Sequence, residues 1–467
     1  MKSEPPGMTR RTLSGREPLV LASLPALGSL GAGAAVVGLF LASAPACAEA
    51  SDLWSQHGLL GEWGGVRTRL EQQGVDFFGD YVGEAVGNPS GGRGQGVRYD
   101  HQVTLGVTLR LDRLLANPEA GAVRLLMTQR AGRSLSADLI GNTIPVQTVY
   151  GPSETVRLTE FSYNRDFAGG LLNVKLGRLY TQGDFTASPQ YWGEQLYCNF
   201  LSNGICGRPI GLPLNSGFVS YPVSSWAGRV RLSLPRDISL SIGAYEVNPA
   251  LRGSGHGFDL GTGRAIGAFL PLELGVKAGR EDGLPGNYRI GAYYDTSTVQ
   301  DAASNVSRYT VPDTEIPDDF TRLRSGRYGF YVLTDQMIQS DSPGSPRGTV
   351  ALLNLQYGDP RTSLISWFGF AGLVRRGTFA GRDGDTIAAG VSTVSINSRI
   401  REAAQVLQET GLPTTRANRE IVLETNYGAA FSPWLNLRSG VQYIMRPAGR
   451  ADIPNALVVD LKTSIRF

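Results

Sequence analysis

Charged side chains in this chain recur at every second position of short apolar segments. In the closing segment Asp460, Lys462, Ser464 and Arg466 interleave with Val459, Leu461, Thr463, Ile465 and Phe467. Residues i and i+2 share a face of an extended strand, so one face is charged and the other apolar. Carrying the alternation back along the chain puts Asp80, Glu84, Arg110, Arg124, Arg130, Glu160, Arg229, Arg231, Arg289, Asp335, Glu424 and Arg438 on polar faces, together with Asp460 and Arg466. The signs are mixed. A one-sign ladder would suit phosphate or another anion. Carboxylates beside guanidinium groups suit a neutral polyol, whose hydroxyls both donate and accept charge-assisted hydrogen bonds. Tyr180, Tyr191, Trp192, Tyr197 and Tyr293 are the aromatic candidates for stacking on such a ligand. The plain alternative for each charge is solvation or a cross-strand ion pair. For the aromatics around 181–224 it is packing of the segment they belong to.

Catalytic chemistry finds little support. The histidines are His57, His101 and His256, and there is no G-x-S-x-G elbow, no H-E-x-x-H and no phosphate-binding glycine loop. No catalytic residue, metal or cofactor is expected. Cys198 and Cys206 lie eight residues apart in a long irregular segment, with no histidine nearby. In an exported chain such a pair reads as a disulfide closing a small ring; free thiols and a metal site are the alternatives.

Export is indicated at the start of the chain. Lys2, Arg10, Arg11 and Arg16 precede an apolar, small-residue stretch over 19–43, followed by Ala46-Cys47-Ala48 and Ala48-Glu49-Ala50. This pattern predicts a cleaved signal peptide over 1–50. An uncleaved anchor, a twin-arginine signal at Thr9–Leu13 and a lipoprotein site at Cys47 are the competing readings. The balance of 44 basic against 41 acidic residues gives no reason to expect nucleic acid or a polybasic membrane contact. Sixty glycines without a G-X-Y period fit a β protein rich in turns.

The elements that must carry the alternating charges are short strands. Candidates are 75–87, 100–113, 122–131, 156–165, 172–180, 225–235, 238–248, 269–278, 287–298, 326–337, 348–358, 362–373, 385–396, 420–431, 435–445 and 456–467. That makes sixteen, an even number, as a bacterial outer-membrane barrel requires. Alternation alone does not separate a membrane barrel from a soluble sandwich. The terminal Phe467 favours the barrel, whose last strand is the element that barrel-assembly machinery would engage. Residues 51–74 read as a short periplasmic segment with a helix over 60–74, carrying Trp63, Val66 and Leu70 and stopped by Gly74; another short helix is expected at Ile400 to Leu407. The barrel then covers 75–467, with tight inner turns and long outer loops at 132–155, 181–224, 249–268, 299–325 and 397–419. Gly358–Arg361 conflicts with this scheme, because so tight a turn falls on the outer side, where a split or missed strand would also explain it. Arg178 has the parity of Leu172, Val174 and Leu176, unless a bulge at Gly177 turns it inward.

Several motifs, in order, carry a family resemblance. Leu59-Leu60-Gly-Glu-Trp63-Gly-Gly-Val-Arg67 through Gly74-Val-Asp-Phe77 resembles the mature start of the OprB-family carbohydrate-selective porins. Leu284-Pro285-Gly286-Asn287-Tyr288 through Tyr294 is similar to a strand motif of that family, as are Tyr328 through Met337 and Glu424 through Tyr443. The resemblance runs from about residue 53 to 467. It implies a sixteen-stranded transmembrane antiparallel barrel in the bacterial outer membrane. Its partners would be membrane lipid and small neutral sugars, with glucose and related sugars diffusing passively into the periplasm, and with monomeric rather than trimeric action. The competing functions are a general diffusion porin for small polar solutes and a secreted β-rich carbohydrate-active enzyme or adhesin.

Overall fold

The computed structural model describes residues 53–467 apart from 187–197, 205–207, 280–283, 310–321, 346, 413 and 416. Residues 1–50, assigned to the signal peptide, lie outside the described part.

Sixteen strands form one closed antiparallel barrel. They are β1 (Val75–Ser90), β2 (Gly96–Arg110), β3 (Ala122–Gly132), β4 (Thr155–Phe167), β5 (Leu172–Leu179), β6 (Ser225–Leu234), β7 (Ile238–Val247), β8 (Gly267–Ala278), β9 (Gly286–Gln300), β10 (Leu323–Ser340), β11 (Gly348–Gly358), β12 (Ile365–Arg376), β13 (Thr386–Ile396), β14 (Arg419–Ala430), β15 (Leu435–Met445) and β16 (Ala456–Arg466). Each strand pairs with its chain neighbours, and β1 closes on β16 with Asp80 opposite Arg466 and Glu84 opposite Lys462. Closure leaves no open edge, so every strand backbone finds its partners without water.

The direction of the alternation settles the class. The apolar face is the exposed one: Ile242, Ile290 and Phe330 are 57%, 60% and 53% exposed. The polar positions between them, such as Glu273, Asp335 and Asn354, are buried inside. A soluble sandwich would show the reverse. An outward apolar band is what lipid requires.

All sixteen predicted segments are strands, with ends shifted by a few residues. The segment expected to run to 113 stops at Arg110, and Leu111–Leu114 forms a single helical turn. The helix expected over 60–74 is shorter, Val66–Gln73. Gly61, Gly64 and Gly65 have φ of +57°, +66° and +84°, and this left-handed backbone allows only a 3-10 turn at Trp63–Gly65, not α-helix, before Val66. Gly74 does stop it, at φ +100°. Arg178 is also clarified. Both ladders of β5 run without a register shift, pairing Arg178 with Phe161 and Trp226 on the outward-facing set. The side chain is nonetheless buried, and its guanidinium donates to the Ser224 carbonyl at 2.6 Å.

Connections at one end are short, and most of those at the other are long. The short-turn end also holds the segment before β1. Trp54 stacks on Trp434 at 5.4 Å, Leu59 N–H donates to the Arg466 carbonyl at 2.8 Å, and Arg67 reaches the Phe467 carbonyl at 3.1 Å. The β11–β12 connection, residues 359–364, does lie at the long-loop end, and among the described residues there is no further strand around it. Its neighbours cover it there. Ala302 N–H donates to the Arg361 carbonyl at 2.8 Å and Asn397 Nδ2 to the Pro360 carbonyl at 2.9 Å.

The long connections turn into the barrel and make its core. Ile144, Val146, Phe200, Leu201, Ile400 and Leu407 pack on inward side chains such as Phe370, Val422 and Ile444. A second cluster sets Leu212 and Phe218 against Phe269, Tyr293 and Tyr331. Small residues on the wall make room for the larger ones. A Cβ at Gly291 would stand 2.0 Å from the Tyr331 ring, and one at Gly106 would stand 2.1 Å from the Phe78 ring.

Candidate functional site

The inner wall is studded with buried carboxylates, and their ligands are peptide N–H groups from the inward loops. Glu84 on β1 accepts from Thr148 N–H at 2.8 Å and Val149 N–H at 3.3 Å, and also from the Thr148 hydroxyl. Glu420 on β14 accepts from Thr143, Ile144 and Ala448 N–H at 2.7, 2.7 and 2.6 Å. Four residues on, Glu424 accepts from Leu201 N–H at 2.6 Å and Ser202 N–H at 3.0 Å, while Arg438 donates to the Cys198 carbonyl. Glu273 accepts from Thr186 N–H at 2.8 Å and Asp295 from Gly217 N–H at 2.6 Å. A peptide N–H buried away from water must find an acceptor. An ionised carboxylate is the strongest one a side chain offers. The wall charges therefore hold the connection 133–154 and the described parts of 180–224 inside the barrel, and Glu420 also holds the β15–β16 connection at Ala448.

This arrangement revises several sequence-based expectations. Glu84, Glu424 and Arg438 face inward as expected, but they are buried under the loops they hold. Asp335 is buried too, 2.5 Å from Asn287 Nδ2. Tyr293 offers no stacking face, because it lies 5.1 Å from Phe269 inside the second cluster and is only 4% exposed. Asp460 points inward with both carboxylate oxygens buried, beside the Cα of Gly440. Arg110 pairs with Asp76 at 2.8 Å and stands at the exposed lip, as does Arg466. Tyr191, Trp192, Tyr197 and Cys206 lie outside the described residues; Cys198 is disulfide-bonded.

Of the remaining predicted residues, Arg130 lines a cavity, and most of the others pair with neighbours on the inner wall. Toward the long-loop end is a cavity of about 410 Å³ whose lining includes Arg130, Arg208, Tyr221, Glu246, Arg252 and Arg327. Arg130 donates to Gln102 Oε1 at 2.8 Å and to the Gly151 carbonyl at 2.7 Å, with its guanidinium 5.4 Å from the centre of the Tyr221 ring. The Tyr221 hydroxyl lies 2.9 Å from Thr104 Oγ1 and 2.7 Å from Thr128 Oγ1, and Tyr180 meets the ring edge-on at 5.3 Å. Burial raises the Tyr221 pKa, so the hydroxyl stays protonated. Arg124 and Glu160 are 3.9 Å apart, and Arg124 lies over Phe78 at 4.7 Å. Glu160 also takes Lys175 at 2.8 Å. Arg229 pairs with Asp184 at 3.3 Å, Arg231 lies 3.3 Å from Ser241 Oγ, and Arg289 pairs with Glu273 at 2.5 Å. Asp80, on β1, is half-buried.

Sequence reasoning missed Lys175, Arg157, Asp184, Arg208 and Tyr221. Lys175 was accessible to the same alternation. Arg157 was not: a register shift opposite Leu126 and Met127 puts it inside along with Glu160. Asp184, Arg208 and Tyr221 sit in the irregular β5–β6 connection, where no period exists to read.

The family model described as carbohydrate-selective porin, OprB family, matches residues 94–467. This chain belongs to that family. It is 33% identical over 461 residues to Porin B of Pseudomonas aeruginosa, covering 95% of this chain and 96% of that one. A putative porin, QuiX, of Acinetobacter baylyi is 28% identical over 445 residues, covering 90% of this chain and 95% of that one. Among solved structures, the high-pH form of OprB from Pseudomonas putida is 30% identical with a TM-score of 0.81, covering 88% of this chain and 99% of that one. Its low-pH form gives a TM-score of 0.56 at 25% identity, with the same coverage. The chain described here is an outer-membrane β-barrel porin of the carbohydrate-selective OprB family.

Proposed function

We propose that this porin passes hexose-sized neutral sugars, glucose among them, by passive diffusion through a conduit displaced to one side of the barrel. The long-loop end faces the medium and the short-turn end the periplasm. Solute enters the cavity beside Arg130 and Tyr221 and leaves past Arg124, Phe78, Lys175 and Arg231. No bond is made or broken on the way.

The observation that carries this reading is the suspension of 133–154 and 180–224 from wall carboxylates. An unobstructed sixteen-stranded barrel is an aqueous channel with little choice of solute. Loops held across it at fixed height leave a narrow path, and the groups along that path then decide what passes. Guanidinium groups, hydroxyls and a ring face in one short path match a sugar's alternating hydroxyls and its apolar ring face. Cys198 and Cys206 are read as the disulfide that fixes the shape of the 180–224 loop.

Liposome swelling with refolded protein tests the proposal. Glucose, a disaccharide and an amino acid of similar size to glucose are compared at equal osmotic strength. Glucose should enter faster than the amino acid and much faster than the disaccharide. Entry ranked by size alone would reduce the protein to a general diffusion porin.

A further inference from the structure

The inner wall carries mixed charges, but the lining of the outer cavity is predominantly positive. Among the described residues, four guanidinium groups reach it, from Arg130, Arg208, Arg252 and Arg327, against one carboxylate, Glu246. Arg327 is neutralised from behind by Asp295 at 2.7 Å. Arg208 is different. It is 7% exposed, its one hydrogen bond among the described residues goes to Asn203 Oδ1 at 3.0 Å, and its buried Nε has no partner. The charged groups that bear on it are Arg130 and Arg252, both of its own sign. Burial, reinforced by those two neighbours, pushes its pKa down to about 9, which leaves it cationic at neutral pH. Burying a guanidinium group without a counter-charge is costly. A neutral sugar does not relieve that cost; an anion does. Two further groups in the lining, Ser220 Oγ and Asn248 Oδ1, are buried without partners among the described residues and suit hydroxyls.

We propose that this cavity binds the carboxylate of a small polyhydroxylated acid on Arg208, so that the channel admits sugar acids as well as neutral sugars. The inference rests on the diffusion reading above and adds a substrate class to it. A single negative charge fits better than a phosphate dianion, because Glu246 shares the lining and repels a second charge. Arg130 and Arg252 add to the positive field around Arg208, which draws anions in before they bind.

D-gluconate and D-glucose are the probes, measured as uptake into proteoliposomes containing the full chain. Wild-type protein should take up gluconate at least as fast as glucose, and a KCl gradient across a planar bilayer should give a chloride-selective zero-current potential. Arg208→Gln should slow gluconate by about threefold to tenfold more than it slows glucose, as expected for loss of a steering charge. Arg208→Lys keeps the charge and should retain most gluconate entry. Heat-modifiable gel mobility identifies folded variants, and Arg252→Gln at the exposed rim gives a second, milder test in the same direction. Exclusion of gluconate relative to glucose by the wild type overturns the proposal, as does an equal slowing of both solutes in Arg208→Gln. Glucose entry no faster than that of the amino acid would sink the neutral-sugar reading instead, while the dependence of gluconate on Arg208 still decides this one.

Discussion

Glu424 shows what a charge on the inner wall does in this molecule. Its carboxylate holds Leu201 and Ser202 by their peptide N–H groups, at 2.6 and 3.0 Å. Glu424→Ala leaves both donors buried and unpaired, at about 1–3 kcal/mol each. The loop should then detach while the barrel persists. Single-channel recordings should show a larger and noisier conductance with weaker preference for glucose; an unchanged conductance would remove Glu424 from the role of anchor. Tyr221→Phe is a finer test. It deletes the hydroxyl contacts to Thr104 and Thr128, worth about 1 kcal/mol each, and keeps the ring under Arg130. Glucose discrimination should fall with little gain in conductance. The inward direction of Glu84, Glu424 and Arg438 was legible in the alternation. Their burial was not, because alternation says which way a side chain points and nothing about a loop 64 to 240 residues away that comes to meet it. Arg208 and Tyr221 left no trace in the sequence, since an irregular segment has no period from which a direction can be read.

At the scale of elements, the clamp between two outer connections makes a pH prediction. Asp301, just after β9, accepts from Arg324 at 2.7 Å and from Arg399 at 2.9 Å, joining the 301–322 connection to the helix Ser398–Glu409. Burial alone would raise the Asp301 pKa, but the bonds from Arg399, Ala303 N–H and Arg324 outweigh it and hold it below the ordinary 3.8. The folded value lies below the unfolded one. The stabilisation is therefore complete above 3.8 and disappears as pH falls through the folded value. Amide exchange in the helix should be independent of clamp titration from about pH 5 to 8 and accelerate only in stronger acid. Acceleration already near neutrality would assign the helix's stability elsewhere. The strands themselves were the most legible elements, because period two is enforced from both sides, by lipid outside and by polar loops inside. The β11–β12 turn looked misplaced because its sequence shows only that it is tight. Its cover comes from Ala302 and Asn397, which no local pattern connects to it.

For the whole molecule, the barrel and its filling are separable. The apolar outer face belongs to the membrane, and the two inner clusters belong to the loops. A charge placed on the outer face should therefore harm assembly without altering selectivity. Ile290→Lys should cost up to about 2–4 kcal/mol, according to its depth in the bilayer. It should lower the folded fraction on heat-modifiable gels and leave the glucose preference of the surviving channels intact. A changed preference in those channels would show that wall and loops are coupled.

The carboxylates of Glu84, Glu420 and Glu424 grip the loops mainly by main-chain N–H groups. Every residue except proline supplies that donor, so the grip is indifferent to which side chains the loops carry. Descendants of such a gene can rewrite the loop tips, one substitution at a time, and still inherit loops suspended at the same height. New solute preferences are then reached through folded intermediates, with the barrel wall passed on unchanged.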